Sequence, residues 1–99
     1  MKNCILNLYG VYKLEHKVIN SVEALLFGSG RPIRLSEIKS ILENTGLSVE
    51  LSEIKRAIND LEIRYEGTSL KVTEVASGYR LQIEEDFSHI LSALWNEKA

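Results

Sequence analysis

Sulfur chemistry is nearly missing from this sequence. Its single cysteine, Cys4, excludes an intramolecular disulfide and any metal site built on several cysteines. One unpaired thiol also fits a reducing compartment. Long apolar runs are missing too: none approaches the ~20 residues that cross a bilayer. The opening MKNCILNLYGVYKLEH carries one early lysine, then a broken apolar run without an A-x-A-like cleavage site, so it makes a poor signal peptide. The chain is therefore expected in the cytoplasm. Nor is there a basic excess. Twelve Lys and Arg stand against 14 Asp and Glu, a formal charge of −2, and nothing in that balance advertises a nucleic-acid binder.

What is present is an ordinary globular composition, 44% hydrophobic and 26% charged, in 99 residues. That length holds one domain with a modest stability margin. Residues 1–13 are apolar at Ile5, Leu6, Leu8, Tyr9, Val11 and Tyr12, interrupted by Gly10, and read as an N-terminal extension. From about Leu14 to Phe27 the spacing of Val18, Val22, Leu25 and Leu26 is that of one buried helical stripe. Gly28, Gly30 and Pro32 end that helix, and Ile33 to Leu35 form a short extended piece. Ser36 is the expected N-cap of a second helix, with Ile38, Ile41 and Leu42 as its stripe. Gly46 and Leu47 then fit a Schellman ending. Ser48 is the expected cap of a third helix, whose stripe Leu51, Ile54, Ile58, Leu61 and Tyr65 is the cleanest in the chain.

After Gly67 the period changes from 3.6 to 2. Tyr79, Leu81 and Ile83 alternate with Arg80, Gln82 and Glu84, a half-buried strand. Leu70 and Val72 begin its partner. Val75 breaks the alternation, so a bulge or bend is expected there, with a short turn at Ser77-Gly78. Asp86 is the expected cap of a last helix carrying Phe87, Ile90, Leu91, Leu94 and Trp95 on one face. The order is helix, short strand, helix, helix, hairpin, helix. The fold class is therefore α+β, mainly helical: a winged helix-turn-helix over residues 14–98, with a two-stranded wing and a C-terminal helix.

No catalytic or metal-binding constellation emerges, so no enzyme and no cofactor are expected. His16 and His89 lie far apart, each without cysteines or clustered carboxylates at ligand spacing. Cys4 has no evident catalytic partner. Gly28-Ser29-Gly30 lacks the lysine and hydroxyl that a phosphate-binding loop needs. The serious alternative is a winged-helix DNA-binding transcriptional regulator, with the third helix in the major groove. That helix should be basic. Here Lys55, Arg56 and Arg64 face Glu50, Glu53, Asp60, Glu62 and Glu66, and the wing tip Ala76-Ser77-Gly78 has no cation. Sequence-specific DNA binding is not expected. Some apolar residues fall outside the stripes: Tyr9, Val11 and Tyr12 in the extension, Phe27 at the first helix's end, and Ile63. Scattered exposed apolar residues are normal. A subunit interface is the sharper account, and Tyr9, Val11, Tyr12 and Phe27 are its candidate residues.

One set of segments resembles a known family. Val22-Glu23-Ala24-Leu25-Leu26-Phe27-Gly28-Ser29-Gly30-Arg31-Pro32-Ile33 looks like the opening of bacterial segregation and condensation protein B. Leu35-Ser36-Glu37-Ile38 resembles its continuation. Val72-Thr73-Glu74-Val75-Ala76-Ser77-Gly78-Tyr79-Arg80-Leu81 is similar to its wing, and Phe87 with Leu94-Trp95-Asn96-Glu97 to its closing helix. The parts occur in family order over roughly residues 17–98. The resemblance implies an N-terminal winged-helix domain that dimerises. Its partners would be a kleisin, segregation and condensation protein A, and a structural-maintenance-of-chromosomes ATPase, in a nucleoid-associated complex that organises and segregates the chromosome. The family's second winged-helix domain, associated with gripping the kleisin, is missing from these 99 residues.

Overall fold

The computed structural model describes residues 16–98. Cys4, Tyr9, Val11 and Tyr12 therefore lie outside the described residues. Four helices and one hairpin follow in order: α1 (16–28), α2 (Leu35–Asn44), α3 (Leu51–Arg64), β1 (Leu70–Val75), β2 (Gly78–Ile83) and α4 (Ser88–Lys98). A 3-10 turn, Glu85–Phe87, leads into α4. This is the winged helix-turn-helix expected from the periodicities.

The core lies where the first three stripes converge. Val18, Val22 and Leu26 of α1 meet Ile38 and Leu42 of α2 and Ile54, Ala57, Ile58 and Leu61 of α3. Ile33, Leu47 and Val49 plug the gaps between helices, while Val72, Tyr79 and Leu81 lay the wing against one side. Among the described residues no polar or charged residue is buried. The body is thus held by apolar burial and backbone hydrogen bonds. Leu51 departs from its stripe: it sits at the first position of α3 and stays exposed, because the core begins one turn further on at Ile54.

The helix starts also differ from expectation, each for a local reason. Ile33 is bridged to Tyr79 by reciprocal backbone hydrogen bonds of 2.8 Å, which hold Arg34 extended. The helix begins at once, with the Ile38 amide donating to the Arg34 carbonyl, so Arg34 is the N-cap and Ser36 falls inside the first turn. Leu35, expected in the extended piece, is already helical. Before α3, burial of Val49 draws the connector inward past Ser48, and Glu50 becomes the cap. Glu50 and Glu53 form a reciprocal capping box, in which the Glu50 amide donates to Glu53 Oε1 at 3.1 Å. Asp86 caps nothing, since it lies within the 3-10 turn. The end of α2 is as expected. Gly46, at φ 93°, donates to the Glu43 carbonyl and Leu47 to the Leu42 carbonyl, the two bonds of a Schellman motif.

The wing is more regular than its sequence. β1 and β2 pair antiparallel without interruption from Leu70↔Ile83 to Val75↔Gly78, so no bulge forms at Val75. The turn residues are Ala76 and Ser77 rather than Ser77 and Gly78. Gly78 closes the ladder at φ 135°, with Ile33 packed against it. A Cβ there would come within 2.4 Å of the Ile33 carbonyl carbon and oxygen, so glycine is required both by conformation and by space.

Candidate interaction surfaces

Three surfaces can contact a partner: the outward face of α3 with the wing, the α1 face around Phe27, and α4. The first is the one a DNA-binding winged helix would use. On α3, Ser52, Lys55, Arg56, Asn59, Glu62 and Ile63 are exposed, with Glu50, Glu53 and Glu66 beside them. Arg64, one of the three cations there, is turned toward α1, where it meets Glu23 at 3.3 Å and donates to Asn20 at 3.2 Å. Lys39 of α2 is held by Glu43 at 2.9 Å and by the Val49 carbonyl at 2.7 Å. Lys71 of the wing lies within 4.0 Å of both Glu84 and Glu85. Folding therefore ties cations to local acceptors and sharpens the acidic character read from sequence. A polyanion meets little positive field on this side.

The second surface follows from a second stripe on α1. Asn20, Glu23, Ala24 and Phe27 recur at helical spacing and line a shallow groove of about 290 Å³ closed by Tyr65. The Tyr65 hydroxyl donates to Glu23 Oε2, while the other oxygen, Oε1, faces Arg64. The bond to the Glu23 carboxylate, then burial, raises the Tyr65 pKa. This polar latch joins α1 to the end of α3, and Phe27 stands at its edge, 77% exposed. Phe27 thus lies off the core stripe, as its position in the sequence led one to expect. Ile63 is exposed too, as expected of its position off the α3 stripe. The rest of the expected interface, Tyr9, Val11 and Tyr12, lies outside the described residues. A second groove, lined by Val18, Ile19, Glu53, Arg56, Ala57 and Asp60, runs between α1 and α3.

The third surface is the one sequence reading passed over. Phe87, Ile90, Leu91, Leu94 and Trp95 do share a face, but the body does not cover it: Phe87 is 41%, Ile90 56%, Leu94 46% and Trp95 62% exposed. The signal was available. The core had already been filled by three stripes and the wing, so a fourth apolar face had nowhere to go. No group of three or more His, Cys, Asp or Glu able to hold a metal occurs among the described residues. No helix among them is long and apolar enough to cross a membrane.

Comparison with known proteins bears on these surfaces. The family model of the segregation and condensation complex subunit ScpB matches residues 20–99. A segregation and condensation protein B homolog of Coxiella burnetii is 36% identical over 73 residues, 74% of this chain. The chain spans only 27% of that relative's length. A conserved protein of Chlorobium tepidum superposes with TM-score 0.69 at 28% identity, over 84% of this chain and 51% of its own. A solved dimer of an ScpB N-terminal domain, complexed with an ScpA peptide, gives TM-score 0.68 at 27% identity, covering 80% of this chain and 95% of that one. With the family opening in α1, the wing motif in β1 and β2 and the fold itself in agreement, the chain belongs to the ScpB family of segregation and condensation complex subunits.

Proposed function

We propose that this chain is a non-catalytic interaction and dimerisation module of a bacterial chromosome segregation and condensation complex, working in the cytoplasm at the nucleoid. The observation that carries this reading is where the described residues keep apolar surface exposed. Phe27 and the α4 face are large, exposed and unneeded by the core. Contiguous exposed apolar side chains mark interaction sites in soluble domains. In this reading residues 14–98 are the winged-helix domain, and residues 1–13 are an extension whose Tyr9, Val11 and Tyr12 join Phe27 at an interface. Tyrosine suits such a place, because its ring buries area while its hydroxyl finds water or a polar partner. The partners are a second copy, the kleisin ScpA and the structural-maintenance-of-chromosomes ATPase, the last two in the context of the longer family protein. The ScpA peptide held by the similar N-terminal domain dimer supports a kleisin contact at this end of the protein.

Sedimentation of the chain alone and with an ScpA peptide tests the reading. Self-association at micromolar concentration and a heavier species with the peptide are expected. A species that keeps the 11.2 kDa chain mass under both conditions would overturn it.

A further inference from the structure

We propose that the free edge of β1, with the groove between that edge and α3, takes up an extended basic segment of a partner protein as an added strand. The inference lies beyond the self-association and kleisin contact proposed above, and its failure leaves them untouched. The edge follows from the register. An antiparallel pair alternates between hydrogen-bonded and non-bonded residue pairs. The Glu84 amide donates to the Ser69 carbonyl at 2.8 Å, so Lys71, Thr73 and Val75 turn their main-chain groups toward β2. Leu70, Val72 and Glu74 therefore turn theirs the other way. Across the hairpin, Tyr79 uses its outward pair on Ile33. On β1 the Thr68 hydroxyl closes Leu70, accepting from its amide at 3.2 Å and donating to its carbonyl at 3.3 Å. The outward amides and carbonyls of Val72 and Glu74 have no partner among the described residues. Such an edge is a template for another strand, and strand addition is a recurrent way of holding an extended peptide.

Charge and spacing identify the occupant. Between the edge and the end of α3 lies a groove of about 170 Å³, lined by Tyr65, Leu70 and Val72 and by the carboxylates of Glu62, Glu66 and Glu84. Its one cation, Lys71, is held within 4.0 Å of Glu84 and Glu85. Glu62 and Glu66 on α3, and Glu74 on the edge itself, have no ion-pair partner among the described residues. Residues one helical turn apart, as Glu62 and Glu66 are, stand about 5–6 Å apart at Cβ. That is close to the ~7 Å between alternate side chains of an extended chain. A strand laid along β1 with lysine or arginine at alternate positions puts a cation against each carboxylate, while the residues between point to the other face. Two such edges paired with each other would set acid against acid, so the occupant is a different, basic chain. The same surface that turns a polyanion away is suited to a polycation.

The probe is a capped peptide of alternating lysine and valine, labelled for fluorescence anisotropy and titrated with the full chain. Saturable binding is expected, and a glutamate–valine peptide should not bind. A strand presents only one of its two edges to β1. N-methylating alternate amides in one phase should therefore abolish binding, and in the other phase preserve it. Glu62→Lys combined with Glu66→Lys should weaken binding about tenfold or more, because two exposed ion pairs become two repulsions. Glu74→Pro removes an outward amide without touching the ladder to β2 and should abolish binding. Glu74→Gln should stay within about threefold of the native chain. Circular dichroism and the thermal midpoint check that each variant keeps its fold. Binding that neither phase of N-methylation lowers overturns the inference, since the attraction is then charge alone. Binding that ignores both the α3 pair and Glu74→Pro overturns it too, as does the absence of saturable binding by the native chain. None of these results bears on self-association or on the ScpA peptide, which sedimentation reads separately.

Discussion

The body of the domain and its last helix are built from the same residue types and treat them oppositely. In the body, each of α1, α2 and α3 turns one apolar stripe inward, and the stripes interlock until Val22, Ile38, Ile54 and Leu61 have no solvent contact. Their outward faces are mostly charged or polar, Phe27, Leu51 and Ile63 apart, and much of that charge is paired locally, as in Arg31 with Glu37 at 2.6 Å and Lys39 with Glu43 at 2.9 Å. Exposed pairs of this kind add little stability. They leave a solvated surface. Helix α4 has the apolar stripe without the core. The lesson is that an amphipathic pattern says a face will be covered but not by what. Only counting the faces against the space available shows which one is left for a partner.

The contrast is breakable at two leucine-sized positions. Leu61 is fully buried on α3 and Ile90 is 56% exposed on α4. Leu61→Ala should cost roughly 2–5 kcal/mol, because it removes buried methylenes and leaves a cavity. In a domain of this size that is a large share of the total. Ile90→Ala, measured where the chain is monomeric, should stay within about 0.5 kcal/mol. Chemical denaturation of both variants decides. Comparable losses would mean that α4 belongs to the cooperative core after all.

Next in size is the joint between wing and body. Gly78→Ala forces a side chain to φ 135° and drives its Cβ into the Ile33 backbone. Strain of about 1–3 kcal/mol adds to the loss of one of the two Ile33–Tyr79 hydrogen bonds, worth about 1 kcal/mol, so about 2–4 kcal/mol is expected. Gly28→Ala is the control: at the end of α1, nothing lies within 4 Å of the added Cβ. Its denaturation midpoint should hold or rise slightly, since alanine loses less backbone entropy than glycine on folding.

These two sites show what the sequence makes legible. Periodicity located all four helices and both strands, since burial leaves a repeat that is read directly in Val18, Val22 and Leu26 or in Ile54, Ile58 and Leu61. The Schellman ending at Gly46 and Leu47 was equally plain, because its demands are local. What escaped depends on distant partners. Ser36, Ser48 and Asp86 look like caps, but the true starts are set by the Ile33–Tyr79 bridge, the burial of Val49 and the 3-10 turn. The bulge expected at Val75 is absent because Gly78 takes the unusual φ and lets the ladder run straight to the turn. Among candidate surfaces, Phe27 was visible as a residue off its stripe. The isolation of α4 was not, because exposure is a property of the whole fold.

A smaller effect probes the polar latch between α1 and α3. The Tyr65 pKa is raised, first by the hydrogen bond to Glu23 and then by burial. A raised tyrosine pKa means that the neutral hydroxyl is favoured in the folded state. Its contribution is complete below the unfolded value of about 10 and is lost as pH rises through the folded value. Burial raises the Tyr79 pKa as well, so ultraviolet titration should show late-ionising tyrosine from both residues, and Tyr65→Phe should remove part of that late step. The variant should also flatten the fall of stability in the alkaline range. An unchanged titration would mean that the latch does not persist in solution.

The smallest expected effect is none, and it concerns duplex DNA. If the body's outer surface is only solvated scaffold, α3 and the wing should not hold nucleic acid. A winged helix that reads DNA neutralises phosphates with lysine and arginine, and its affinity falls steeply with salt as counterions are released. Here Lys55 and Arg56 on α3 stand among Glu50, Glu53, Glu62 and Glu66, and Arg64 is engaged with Glu23 and Asn20. Arg80 is exposed on the wing, but Lys71 is held near Glu84 and Glu85. At physiological salt the chain should give no saturable shift of a duplex and no dependence on its sequence. Reversing the balance with Glu53→Lys and Glu62→Lys should produce weak, salt-sensitive, sequence-independent binding, which shows that charge rather than shape was limiting. Specific complexes lie near 10⁻⁸–10⁻¹¹ M, so sequence-dependent binding by the native chain at submicromolar concentration would break the contrast. The charged outer face of α3 and the wing would then be a working surface rather than solvated scaffold.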